Sequence, residues 1–323
     1  MGEFDLIKAY FRRPAQGAGL ILGVGDDCAL LKPAIGMQLA VTTDTMVSGV
    51  HFLPDDDPRD LGHKLVAVNL SDLAAMGARP RWLFLNLTLP AVDEGWLAAF
   101  ADGLFGLAAR YGAVLAGGDT TRGPLAFGLT AIGELPAGQA LRRSGARPGD
   151  WVCVSGIPGE AAAGLAHRLG QHLLPKGLAA QALARLHRPE PQVALGLALR
   201  GLATSAIDIS DGLAQDLGHI LAASGVGATL ELTRLPSSPV LAALPQDMAW
   251  RQQLAGGDDY ELVFTLPPEH VDRLADLPAP VTVIGRIDPD PGLRLLAPDG
   301  SPFPLARKGH DHFAQDPHPP GPA

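Results

Sequence analysis

The chain has 323 residues, 47% of them hydrophobic and 18% charged, with a formal net charge of −9. That is length for two domains with real cores, too apolar for intrinsic disorder, and too negative for nucleic acid to be the main partner. Cys28 and Cys153 lie far apart among apolar residues, which predicts buried, reduced thiols rather than a metal pair.

The first residues carry early acids and no apolar h-region, so they do not read as a signal peptide. Residues 4–12 read as a short helix whose apolar side is Leu6, Ile7, Tyr10 and Phe11. Next comes Gly23-Val24-Gly25-Asp26-Asp27-Cys28-Ala29, glycines and paired aspartates from which an apolar strand resumes. That placement predicts one aspartate pointing inward, the alternative being a solvated turn. Leu39-Ala40-Val41 reads as a short strand that turns polar at Thr42-Thr43-Asp44-Thr45, with His51 following. Hydroxyls around a carboxylate are hard ligands that suit Mg²⁺, although an ordinary Asp/Thr turn has the same composition.

Residues 60–76 read as a helix with Leu61, Leu65, Val68 and Asp72 on one face. A carboxylate on that stripe needs a cation or strong hydrogen bonds, unless it is an exposed last-turn Asp. In residues 81–89, Leu83, Leu85, Leu87 and Leu89 alternate with Trp82, Phe84, Asn86 and Thr88, a strand whose second face suits a subunit contact. Residues 97–110 are helical. The apolar-rich stretch 97–115 is broken by Asp102, Arg110 and glycines, so it is no membrane span. Tyr111-Gly112 ends the helix, and a strand at 113–116 leads into Gly117-Gly118-Asp119-Thr120-Thr121, another acid among hydroxyls. Residues 126–134 are again a strand.

Residues 136–150 are rich in Gly, Pro and Arg and mark the domain boundary, with Arg142, Arg143 and Arg147 either solvated or placed for phosphate. A strand at 151–155 runs into Gly156-Ile157-Pro158-Gly159-Glu160 before an Ala-rich helix, which resembles a phosphate cradle without a Walker motif. In Ala206-Ile207-Asp208-Ile209-Ser210-Asp211-Gly212, Asp208 alternates with isoleucines inside a strand, while Ser210 or Asp211 reads equally as a helix cap. Gly257-Asp258-Asp259-Tyr260-Glu261 is a further acidic turn. A strand is expected at 281–287, and the Pro-rich end after Phe313 reads as disordered.

If Asp27, Asp44, Asp72, Asp119 and Asp208 converge, each close pair of charges costs on the order of 4 kcal/mol, against a domain stability of ~5–15 kcal/mol. Convergence therefore implies bound cations, and all-oxygen ligation implies Mg²⁺ and phosphoryl chemistry.

The motifs Gly23–Ala29, Thr43-Asp44-Thr45, Gly49-Val50-His51-Phe52, the run from Asn69 to Ala78, Gly117-Gly118-Asp119-Thr120, Asp208–Leu213, Gly257–Leu262 and Gly309-His310-Asp311-His312-Phe313 closely resemble the thiamine-monophosphate kinases, in that family's order. The resemblance implies an α/β (α+β), two-domain PurM-like fold. Its parts would be an N-terminal metal- and ATP-binding dimerisation domain at 1–137, a linker at 138–150, a C-terminal domain at 151–313 and a disordered tail at 314–323. It implies a cytoplasmic homodimer that uses ATP and several Mg²⁺ ions to phosphorylate thiamine monophosphate. By position, Asp27, Thr42, Thr43, Asp44, Asp72, Asp119, Asp208 and Asp211 would hold Mg²⁺. Tyr111, Gly118, Asp119, Arg143 and Ser210 would contact ATP, and His51, Asp258 and His310 the substrate. Thr42 stands where the family commonly has serine, Asp258 where it has glutamate, and His310 where it has a large aromatic. No general base is expected, because the acceptor phosphate is already ionised near neutral pH. A sister ATP-dependent synthetase and a non-catalytic Mg-nucleotide-binding subunit are the two rival readings.

Overall fold

A computed structural model of the chain describes residues 2–13 and 19–310; the tail expected at 314–323 lies outside them. Helix α1 (Glu3–Leu6) continues as a π-helical turn (Ile7–Phe11), which buries Leu6 and Phe11. Strands β1 (Leu20–Leu22) and β2 (Leu30–Leu31) pair antiparallel. Then come β3 (Met37–Val47), α2 (Pro58–Ala75), β4 (Arg79–Leu89), α3 (Glu94–Arg110), β5 (Val114–Arg122) and β6 (Ala126–Pro136). These strands form one sheet in the order β3-β6-β4-β5, antiparallel except for β4 with β5.

The second half holds β7 (Trp151–Ser155), α4 (Glu160–Arg168), α5 (Lys176–His187), α6 (Val193–Leu199), β8 (Ser205–Ile209), α7 (Leu213–Ser224) and β9 (Gly227–Glu231). It continues with α8 (Pro239–Ala242), α9 (Gln246–Ala255), β10 (Glu261–Leu266), β11 (Val281–Asp288) and β12 (Gly292–Leu296). Its sheet runs β12-β9-β11-β7-β10-β8.

Helix α2 is the element on which both halves close. Asp57 caps it, accepting from the Arg59 N–H at 2.8 Å, and Pro58 opens its first turn. The expected stripe of Leu61, Leu65 and Val68 is buried, but so is nearly every other side of the helix. The core it enters runs on into Leu195 and Leu199 of α6, Ala206 of β8, and Leu262 and Phe264 of β10. Two glycines permit the close crossing with α3: a Cβ at Gly62 would lie 2.1 Å from the Phe100 carbonyl oxygen, and one at Gly103 1.9 Å from that of Arg59.

Several expectations are corrected. Thr42–Thr45 do not form a turn, because β3 runs straight through them, paired residue for residue with β6. Residues 117–121 likewise lie inside β5, and Gly118 is there for a reason. Its φ is +149°, and a Cβ would fall 1.9 Å from the Leu85 carbonyl oxygen. Asp26 and Asp27 are both exposed, so neither points inward. Cys153 is buried, and burial pushes its thiol up to about 12, but Cys28 is exposed. The turn at 156–160 is no open phosphate cradle, since the Gly159 N–H already donates to both oxygens of the Asp259 carboxylate at 2.9 and 2.8 Å. Neither Ser210 nor Asp211 caps α7; Asp216 reaches back and accepts from the N–H groups of Ser210, Asp211 and Gly212, each at 3.1 Å. Among the described residues, no helix is long and apolar enough to cross a membrane.

Candidate active site

A cleft of about 410 Å³ opens where α2, the end of β3, the turns after β8 and before β10, and the helices α4 and α5 meet. Asp44 reaches it from β3, Asp72 from α2, Asp208 from β8, and Ser210 and Asp211 from the turn that follows. Both halves of the chain thus supply carboxylates. Thr42 stands two residues before Asp44 on the same face of β3, and its hydroxyl donates to Asp72. The Ser71 hydroxyl donates to Asp208 at 2.9 Å.

These carboxylates are held where charge is costly. Asp44 is pushed up to about 6, first by burial and then by the negative charge of Asp72. Burial also raises Asp72, opposed by the Thr42 hydrogen bond and the positive charge of Arg143. Asp208 stands well above the carboxylate range, again from burial first and Asp72 next. The mutual repulsion on which the sequence argument rested is therefore present for three of its five aspartates.

The other two lie elsewhere. Paired residues share a sheet face, and alternation separates Thr42 and Asp44 from Thr43 and Thr45. Thr43, hydrogen-bonded to Thr130 at 3.1 Å, and Asp119, paired with Asn86, occupy the face turned away from α2. Asp27 sits in the exposed loop between β1 and β2. Tyr111 does not line the cleft; its hydroxyl donates to Glu190 and to the Pro191 carbonyl. Arg143 is exposed beside Asp72.

The substrate-side candidates do line the cleft. Phe52 stacks on Phe127 with ring centroids 4.9 Å apart, anchoring the turn that carries His51. The Val47 N–H donates to His51 Nδ1 at 3.0 Å. His310 is exposed at the rim, where its N–H donates to the Asp211 carbonyl at 3.0 Å. Asp258 pairs with Lys64 at 3.0 Å and accepts from the Tyr260 hydroxyl at 3.0 Å.

The sequence reading missed Lys64, Tyr260 and Ser71. Lys64 had a signal, since it falls on the same helical stripe as Leu61, Val68 and Asp72. Ser71 and Tyr260 had none, because their partners lie far away in the chain or depend on an unusual backbone.

The donors suit Mg²⁺ by chemistry, being carboxylate and hydroxyl oxygens under mutual repulsion. Among the described residues, no three His, Cys, Asp or Glu side chains stand in an arrangement that holds a metal by itself. An ion that takes one or two carboxylates, several waters and a substrate phosphate does not require one.

Models of the AIR synthase related proteins match the chain, the N-terminal domain over residues 25–135 and the C-terminal domain over 147–297. A thiamine-monophosphate kinase of Salmonella typhimurium is 50% identical, over 97% of this chain and 98% of its own length. The crystal structure of thiamine-monophosphate kinase from Stenotrophomonas maltophilia K279a superposes with a TM-score of 0.82 at 46% identity, covering 88% of this chain and 92% of that one. AaThiL complexed with AMPPCP and TMP gives a TM-score of 0.78 at 30% identity, covering 90% and 92%. By its motifs, its two-sheet fold and these relatives, the chain belongs to the thiamine-monophosphate kinase family of the AIR synthase related proteins.

Proposed function

We propose that this protein transfers the γ-phosphoryl group of ATP to the phosphate of thiamine monophosphate, giving thiamine diphosphate and ADP, the final step of thiamine diphosphate biosynthesis. The observation that carries the reading is the meeting of Asp44, Asp72, Asp208 and Asp211, from both halves of the chain, on one cleft that His51, Asp258 and His310 also line. A relative solved with AMPPCP and TMP supports the choice of substrates.

In this reading Asp44, Asp72, Asp208 and Asp211, with Thr42 beside them, hold Mg²⁺, which neutralises charge on the phosphates when bound. Thr43 and Asp119 serve the nucleotide and its ions from the outer face of the sheet, with Gly118 beside Asp119 in β5, Asp27 in the β1–β2 loop, and Arg143 and Ser210 nearer the cleft. Tyr111, its hydroxyl turned to Glu190, offers the nucleotide only its ring. His51, Asp258 and His310 orient the acceptor.

An oxygen of the acceptor phosphate attacks the γ-phosphorus, and the bond to the β,γ-bridging oxygen breaks, so the electron pair leaves with ADP. The acceptor oxygen is ionised near neutral pH, the second phosphate pKa being ~6, so no side chain has to remove a proton. The protein's own work is to align the two phosphates and keep water from competing.

The working form in this proposal is a cytoplasmic homodimer with domains at 1–137 and 151–313. Its support is the outer face of β3, an edge strand on which Met37, Leu39 and Val41 stand 41%, 43% and 63% exposed in a row.

The test is product identification by ³¹P NMR after incubation with MgATP and thiamine monophosphate. Thiamine diphosphate with stoichiometric ADP is expected. Another phosphorylated product would assign a sister synthetase, and MgATP binding without turnover a binding subunit.

A further inference from the structure

Lys64 is a buried ammonium in a cleft rich in carboxylates. It is 5% exposed, in the middle of α2, and its Nζ lies 3.0 Å from Asp258 Oδ1. The Tyr260 hydroxyl donates to the same oxygen at 3.0 Å. Asp258 and Tyr260 both adopt positive φ, 67° and 52°, a conformation that L side chains avoid. The turn is held there by the Asp258 N–H on the Ser210 carbonyl at 2.9 Å and the Tyr260 N–H on the Ile209 carbonyl at 2.8 Å. Backbone strain, a phenol and a carboxylate are thus spent on fixing one ammonium against the cleft wall.

Stability does not explain the arrangement, because a buried ion pair roughly breaks even against apolar packing. Ligand chemistry does. A phosphate monoester entering this cleft meets Asp44, Asp72, Asp208 and Asp211. Among the described residues, the Lys and Arg side chains that line it are Lys64 and Arg168, and Arg168 is engaged by Asp55 at 2.6 Å and Asp56 at 3.8 Å. Lys64 has three donors, and its ion-pair partner is Asp258. His187 lines the same wall; burial first, and the charge of Lys64 in part, hold its imidazole below the usual range.

We propose that Lys64 receives the phosphate of the acceptor, and that Asp258 keeps the ammonium facing the cleft until that phosphate arrives. The inference rests on the kinase reading above and refines it: Asp258 acts on the substrate through Lys64, so its single methylene suffices where the resemblance implies glutamate.

The test compares two acceptor ligands that differ only in the phosphate. Calorimetric titration with thiamine monophosphate and with thiamine is run on wild type, Lys64→Met, Lys64→Arg and Asp258→Asn, alongside KM for both substrates. Lys64→Met should weaken thiamine monophosphate roughly 10- to 100-fold, the worth of a charge-assisted contact, while thiamine changes less than about threefold and KM for ATP holds. Lys64→Arg should recover part of the loss, and Asp258→Asn should cost less for thiamine monophosphate than Lys64→Met does. Equal losses for the two ligands, or none, overturn the proposal. Should Lys64→Met fail to fold, Lys64→Arg and Asp258→Asn decide on the same two-ligand contrast. A wild type that makes no thiamine diphosphate sinks the kinase reading, whereas an active wild type with an indifferent Lys64→Met sinks this inference alone.

Discussion

Ser71 on α2 and Asp208 on β8 come from opposite halves of the chain and meet at 2.9 Å, both buried, the serine hydroxyl donating to the carboxylate. The contact ties the more costly charge of the cleft to the helix that carries Asp72. Ser71→Ala strands Asp208 without that donor. We expect a loss of about 1–3 kcal/mol in urea unfolding of the metal-free protein, together with a raised Mg²⁺ requirement for turnover. An unchanged midpoint would mean that Asp208 is already protonated and indifferent to the hydroxyl.

Asp44 gives a pH signature. Its folded-state value, about 6, lies above the ordinary 3.8. The folded protein therefore holds this proton more tightly than the unfolded chain does. The stability it contributes is full below pH ~4 and is lost as pH rises through 6. Asp44→Asn should raise the Tm of the metal-free protein at pH 8, by an effect on the order of 2–3 kcal/mol, and leave it nearly unchanged at pH 4. The same substitution should abolish turnover with Mg²⁺. Calorimetric scans at the two pH values check the first part; a Tm that falls at pH 8 would count against it.

His310 stands at the rim, at the position where the resemblance to the kinases implies a large aromatic. A cationic thiazolium and a pyrimidine ring both favour a flat π surface, and imidazole buries less area than an indole. His310→Trp should lower KM for thiamine monophosphate roughly three- to tenfold, worth ~0.5–1.5 kcal/mol, with KM for ATP constant.

Val41 lies between Leu39 and Thr43 on the outer face of β3. Val41→Glu should shift the protein from dimer to monomer in sedimentation velocity and leave the Tm of the monomer intact. A monomeric wild type would remove the dimer from the proposal.

Much of this was legible before the fold. Asp72 announced itself by falling on an apolar helical stripe, and Asp208 by alternating with Ile207 and Ile209. The polar run Thr42–Thr45 misled because a hydroxyl-rich segment reads as a turn, whereas threonine is β-branched and suits a strand once β6 lies beside it. The same tertiary pairing put Gly117–Thr121 into β5. Asp44 and Asp119 could be counted but not sorted between the two faces of their sheet, since sorting needs the pleat register. Asp216, Asp259 and Ser71 stayed hidden for a different reason: each is defined by the group it bonds, and nothing local marks a carboxylate as a cap for residues that precede it.

The burial of α2 on all sides bears on how the molecule can be divided. The linker separates the two sheets in sequence, yet Leu65, Leu70 and Leu73 share one core with Leu195, Leu199 and Phe264 from beyond it. Cut at the linker, the first fragment would carry an uncovered greasy helix and the second a bare groove. Separate expression of the two pieces should therefore expose this shared core and favour aggregation, while co-expression should restore activity.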